Sequence, residues 1–258
     1  MRLWLKSRGS LGRSEMTAKL AFLQDPPLAR VNLEQVDGQS RTDRVYRQMR
    51  DRLMRGIFKP HQRLRIKELS QAFGTSETPV REAIFQLIRD GAVEAKTHAY
   101  FRVRKLSVAE YLELREIRLL LEPQAARRAM ENVTGPEIGL LERLHEKLMA
   151  AEQGHDYEMA VRANFDFHFG LYRLSRMPAL IAILENLWIQ HGPMLNHLYP
   201  EGHPAYDNEH QHLSILRALR RHDADALCWA VREDMLQGGR NFVTHLQELE
   251  RREAEGTK

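Results

Sequence analysis

The segment GTSETPVREAIFQLIRDG, residues 74–91, leaves its neighbours little freedom in how they fold. Gly74 closes whatever precedes it, Ser76 or Thr78 can cap a new helix, and Pro79 suits a first turn that needs no N–H from it. Val80, Ile84, Leu87 and Ile88 then recur on one face, and Gly91 stops the run. A helix this short and one-sided is stable only when packed. The flanks supply the packing. Residues 41–56 place Val45, Met49, Leu53 and Met54 at helical spacing, with Ser40 or Thr42 as cap and Gly56 as stop. RIKELSQAFG predicts a second helix, and AVEAKTHAYFRVRK predicts short strands at 92–95 and 100–104 around a polar tip. Three helices followed by a small hairpin make a winged helix-turn-helix.

Charge divides the chain in the same place. Residues 41–105 hold 16 Lys/Arg against 7 Asp/Glu, a net +9, whereas residues 106–258 hold 17 against 24, a net −7. A compact basic segment on a larger acidic one points to a polyanion met by the first part alone, against the plainer reading of solvated helix faces. Cys228 is the single cysteine, so no intrachain disulfide forms, and LWL near the start is too short for a signal-peptide core. With no apolar run long enough to span a bilayer, the expectation is a cytoplasmic protein without a membrane partner.

From Ser107, a helix cap, the chain reads as helix after helix, with breaks at 135–136, 154–155, 177–178, 199–204 and 222–223. About six helices with short connections predict an antiparallel bundle. NFDFHFGLY alternates like a strand, but its flanks are helical and Phe165, Phe169 and Tyr172 share a helix face, so it is read as helix. The expected fold is mainly α: a flexible extension over 1–38 with a short helix near 14–23, a winged helix-turn-helix over 39–105, an all-α bundle over 106–248 and a flexible tail over 249–258.

The free N–H groups and positive dipole end of the third helix suit a phosphate or base edge, which brings forward Thr75, Ser76, Glu77 and Thr78. Arg81, one turn in, can fork onto guanine in a major groove. Arg44, Arg47, Arg63, Arg65 and Lys67 are placed for backbone phosphates, while Arg52 and Arg55 read as ordinary surface. In the acidic half, Arg118 sits in the largely apolar IRLLLEPQAA one turn before Glu122 and needs a carboxylate partner, from protein or ligand. Asn164 and His168 lie four apart, while His212 and Asp234 come on later helices; no spacing rule joins the four. His191, His197, His203 and His210 read as polar loop and helix surface, with His210 the substitute for His212.

RLRIKELSQAFGTSETPVREAIFQLIRDGAVE resembles the winged-helix domain of GntR-family transcription regulators, most specifically at TPVREA, and the helical half of the chain resembles the FCD ligand-binding domain of the FadR-like subgroup. The resemblance implies a homodimeric repressor of a double-stranded DNA operator, controlled by a small organic acid whose carboxylate meets Arg118. It also implies a divalent metal (Zn, Ni, Mn or Fe) on Asn164, His168, His212 and Asp234. This chain departs from the family pattern in four places. Glu77 stands where Arg is usual, Pro60-His61 where Pro-Gly is usual, and Asp234 where His is usual. Tyr100, near His98, takes the place of the wing-tip glycine. The competing readings are a metal-dependent enzyme, for which no general base or substrate pocket stands out, and an architectural DNA binder without effector.

Overall fold

The structure, a computed structural model, describes residues 40–96 and 100–256. The expectations for residues 1–38, and for His98, fall outside that range. The element order begins with α1 (Arg41–Met54), β1 (Arg63–Leu64), α2 (Ile66–Ala72) and α3 (Glu77–Arg89), followed by the hairpin β2 (Val93–Lys96) and β3 (Tyr100–Val103). The sheet runs β1-β3-β2, all antiparallel, with Leu64 opposite Phe101 and Val93 opposite Val103. Val80, Ala83, Ile84 and Leu87 of α3 are fully buried against α1 and α2, with Met49 and Leu53 facing them. Each large side chain among them stabilises the module by about 1.5–3 kcal/mol.

Seven helices come next among the described residues: α4 (Val108–Ala129), α5 (Gly135–Gln153), α6 (Tyr157–Arg173), α7 (Pro178–His191), α8 (Gln211–Arg221), α9 (Ala224–Gln237) and α10 (Arg240–Gly256). A 3₁₀ turn, Gly192–His197, extends α7. Ser107 caps α4 in a full capping box with Glu110, and Pro at the first turn starts α5 and α7. The sequence reading is corrected at the end of the chain. It missed the break at Gly238-Gly239 and ended the helical domain at 248; instead a separate α10 runs on to Gly256, held inward by Phe242 and Leu246. The alternation in NFDFHFGLY has a physical cause: Phe165, Phe167 and Phe169 are all fully buried, because α6 is enclosed on most sides, so the apolar positions are not confined to one helix face.

The winged module packs on the bundle through α1, which lies against α7 and the 3₁₀ turn. Gly192 makes that approach possible: a Cβ there would lie 2.2 Å from the Leu53 carbonyl oxygen. Gly56, at φ +66°, turns the chain beside it. Asn196 Nδ2 donates to the carbonyls of Gly56 (2.8 Å) and Phe58 (3.3 Å). Arg55, read from sequence as surface, is instead half-buried at this junction; its Nη1 donates to Asp166 at 2.5 Å and its guanidinium lies 4.8 Å over the Phe165 ring.

Candidate nucleic-acid interface and metal centre

The exposed edge of the winged module carries most of the residues singled out for DNA. Ser76 is the N-cap of α3, but its side chain makes no capping bond, so the N–H groups of the first turn remain open to an outside acceptor. Glu77, Thr78 and Arg81 are exposed on that turn. Thr75 is half-buried, and its Oγ1 is buried without a partner. Arg44, Lys67 and Arg81 are exposed and have no acidic partner among the described residues. Arg65 instead pairs with Glu68 at 2.7 Å. Tyr100 is not at the wing tip: it opens β3, and the Arg63 guanidinium lies 4.2 Å over its ring.

A second constellation lies inside the bundle. Helix α6 delivers His168, α8 delivers His212 and α9 delivers Asp234, all buried. His168 Nε2 lies 3.2 Å from Asp234 Oδ2 and 3.3 Å from His212 Nε2. Asn164, one turn before His168, lines a cavity of ≈ 70 Å³ together with His168 and Asp234. Of the four residues named from sequence, three bring their donor atoms together and the fourth faces the space beside them.

A buried relay orients this group. Glu122, fully buried, accepts from Arg118 Nε (2.7 Å), Trp188 Nε1 (2.7 Å) and the Tyr172 hydroxyl (2.8 Å). Tyr172 has one proton and gives it to Glu122, so its 3.2 Å contact with His168 Nδ1 requires the imidazole to donate there. His168 Nε2 of the neutral ring then presents a lone pair to the Asp234 carboxylate. Two acceptors at 3.2 Å call for a cation between them, either a proton or a metal ion. Burial alone would raise the Asp234 carboxyl, but its hydrogen bond with His168, the charges of His168 and His210, and the Tyr206 hydroxyl hold it below its usual range. Burial drives His212 far down, and its Nδ1 is buried without a partner. An imidazole and carboxylate donor set converging in this way suits a borderline divalent ion.

Arg118 is answered by the protein's own Glu122, and its guanidinium also lies 4.5 Å over Trp188. One residue missed from sequence is Arg115, one turn earlier on α4: it lines the cavity, and its Nε is buried with no partner. The i,i+3 arginine pair in REIR was its only signal. His191 and His210 correct the surface reading, since both line the cavity and His191 is buried between Tyr111 and Trp188. The long-range packing that draws them in leaves no mark on local spacing.

Residues 41–103 match the model for bacterial regulatory proteins of the gntR family, and residues 113–236 match the FCD domain. The transcriptional regulator McbR of Escherichia coli K12 is 34% identical over 201 residues, covering 77% of this chain and 90% of McbR. This chain belongs to the GntR family. The transcriptional repressor RspR of the same strain is 27% identical over 206 residues, covering 80% of this regulator and 85% of RspR. The solved structure of E. coli McbR/YncC superposes with a TM-score of 0.72 at 32% identity, covering 82% of this regulator and all of that chain. The molecule is therefore a DNA-binding transcription regulator of mainly α fold, with a GntR module followed by an FCD domain, and not an enzyme. No helix among the described residues is long and apolar enough to cross a membrane.

Proposed function

We propose that this regulator is a cytoplasmic homodimeric repressor whose grip on operator DNA is set by a divalent metal and a small organic acid in the bundle cavity. Arg81 reads base edges, with Thr75, Ser76, Glu77 and Thr78 around it and His98 as a further DNA contact, while Arg44, Arg63, Arg65 and Lys67 hold phosphates. Asn164, His168, His212 and Asp234 hold the metal, which supplies a Lewis-acidic point for an effector carboxylate. Arg115 supplies the second anchor, with Arg118 beside it already neutralised by Glu122.

The observation that carries this reading is the double role of α6. It holds His168 in the cavity and, two residues earlier, Asp166 against Arg55 of the winged module. A shift of α6 on ligand binding therefore reaches α1 directly, and a coupling of about 1–3 kcal/mol between the sites is typical of such devices. The test is a thermal-shift screen of small carboxylic acids on metal-loaded and chelator-treated protein. An acid that raises the Tm only with metal present, and that also weakens operator binding, is expected. Protein that carries no metal and answers to no acid rejects the reading.

A further inference from the structure

Beside the His168–Asp234 pair lies a second group of imidazoles, of which the proposed metal site uses only one. His145, from the inner face of α5, is 7% exposed, and its Nδ1 is buried without a partner. Its ring centroid lies 5.1 Å from that of His210 and 5.5 Å from that of His212, and the latter two are 4.4 Å apart. One ring nitrogen from each of the three lies within 4.8 Å of the others. Tetrahedral zinc with bonds of about 2.0–2.1 Å draws its ligands closer than that, so the rings must move inward by roughly 1 Å. We infer that His145, His210 and His212 form a second transition-metal position that needs neither His168 nor Asp234. It shares only His212 with the first site.

The donor chemistry names the class of ion. Three neutral imidazoles and no coordinating carboxylate suit Zn, Ni, Co or Cu(II), and offer nothing to Mg or Ca. The Nδ1 atoms of His145 and His212 are buried without a partner, which leaves donor capacity unspent in this group.

His210 makes the position switchable. Its Nδ1 accepts the His212 N–H at 3.1 Å and so caps α8, while Nε2 faces the Tyr206 hydroxyl at 3.5 Å. A metal on Nε2 requires the ring proton to move from Nε2 to Nδ1, which ends that cap. Losing one cap is small beside binding a transition metal through three imidazoles. Filling this position therefore loosens the start of α8 and the segment carrying Tyr206, whose hydroxyl donates to Asp234.

The test uses the full chain carrying His168→Asn and Asp234→Asn, titrated with Co(II) against a chromophoric chelator. About one Co(II) per chain is expected, with affinity falling at least tenfold when His145→Gln is added. His210→Asn, which keeps a capping side chain, should do the same. If the doubly substituted chain binds no Co(II) while the unsubstituted protein does, the second position is rejected and the first stands; unchanged affinity on adding His145→Gln also rejects it. No Co(II) on the unsubstituted protein rejects both. Should thermal melting show the doubly substituted chain unfolded, His168→Asn alone replaces it, with the same expected and rejecting results.

Discussion

His61 holds a left-handed backbone, φ +61°, at the loop position where the family pattern carries glycine. An L-residue there costs roughly 1–2 kcal/mol, which glycine avoids at the expense of a more flexible unfolded chain. His61→Gly is therefore expected to stabilise the protein by about 1 kcal/mol, raising the Tm by about 2–4 °C in calorimetry; a lower Tm would mean that His61 makes a contact worth more than its strain. The departure was visible in Pro60-His61, but its meaning was not, because positive φ belongs to the loop's closure: His61 N donates to the Val103 carbonyl across 42 positions of chain. Tyr100 shows the same limit. Sequence placed it near the tip, and only the pairing of β1 with β3 brings Arg63 over its ring.

At the scale of elements, α6 joins the cavity to the winged module, and the Arg55–Asp166 contact is its polar link. Both groups are only partly buried, so the pair itself adds modest stability; its importance lies in where it stands. Asp166→Asn keeps the shape and removes the charge. Operator affinity measured by fluorescence anisotropy should then differ less between metal-loaded and chelator-treated protein than it does with Asp166, while the Tm changes little. An undiminished difference would move the coupling to the packing of α1 on α7, which includes the Arg50–Glu185 ion pair at 3.2 Å. The helices themselves were largely legible: caps at Ser107 and Asp223, prolines at 136 and 178, and the turn at His222 mark their ends in the residues alone. The cavity was legible only where a motif reached it. Asn164 and His168 share a helix face by spacing, and only the family resemblance made them ligands, whereas Arg115 and His191 are separated by tens of residues and meet at the cavity only through packing of α4 and α7.

Over the whole molecule, the net +9 of residues 41–105 and the net −7 of residues 106–258 give a cationic reader carried on an anionic bundle. Non-specific DNA binding then comes from the module alone, and the bundle's charge discourages the chain from lying along DNA by its other faces. Two exposed cations without acidic partners among the described residues separate the tasks within the module. Lys67, on the first turn of α2, meets phosphate in the proposed docking, so Lys67→Ala should weaken binding to operator and unrelated DNA alike, and flatten the slope of log K against log salt by about 0.9. In the same proposed docking Arg81 meets a base edge, so Arg81→Ala should cost about 1–3 kcal/mol on operator and much less on unrelated duplex, collapsing the ratio between them. Anisotropy titrations on both DNAs across a range of salt distinguish the two. Equal losses for Arg81→Ala on both would assign it to the backbone and leave Glu77, beside it on the same exposed turn, as the residue through which this module chooses its sequence.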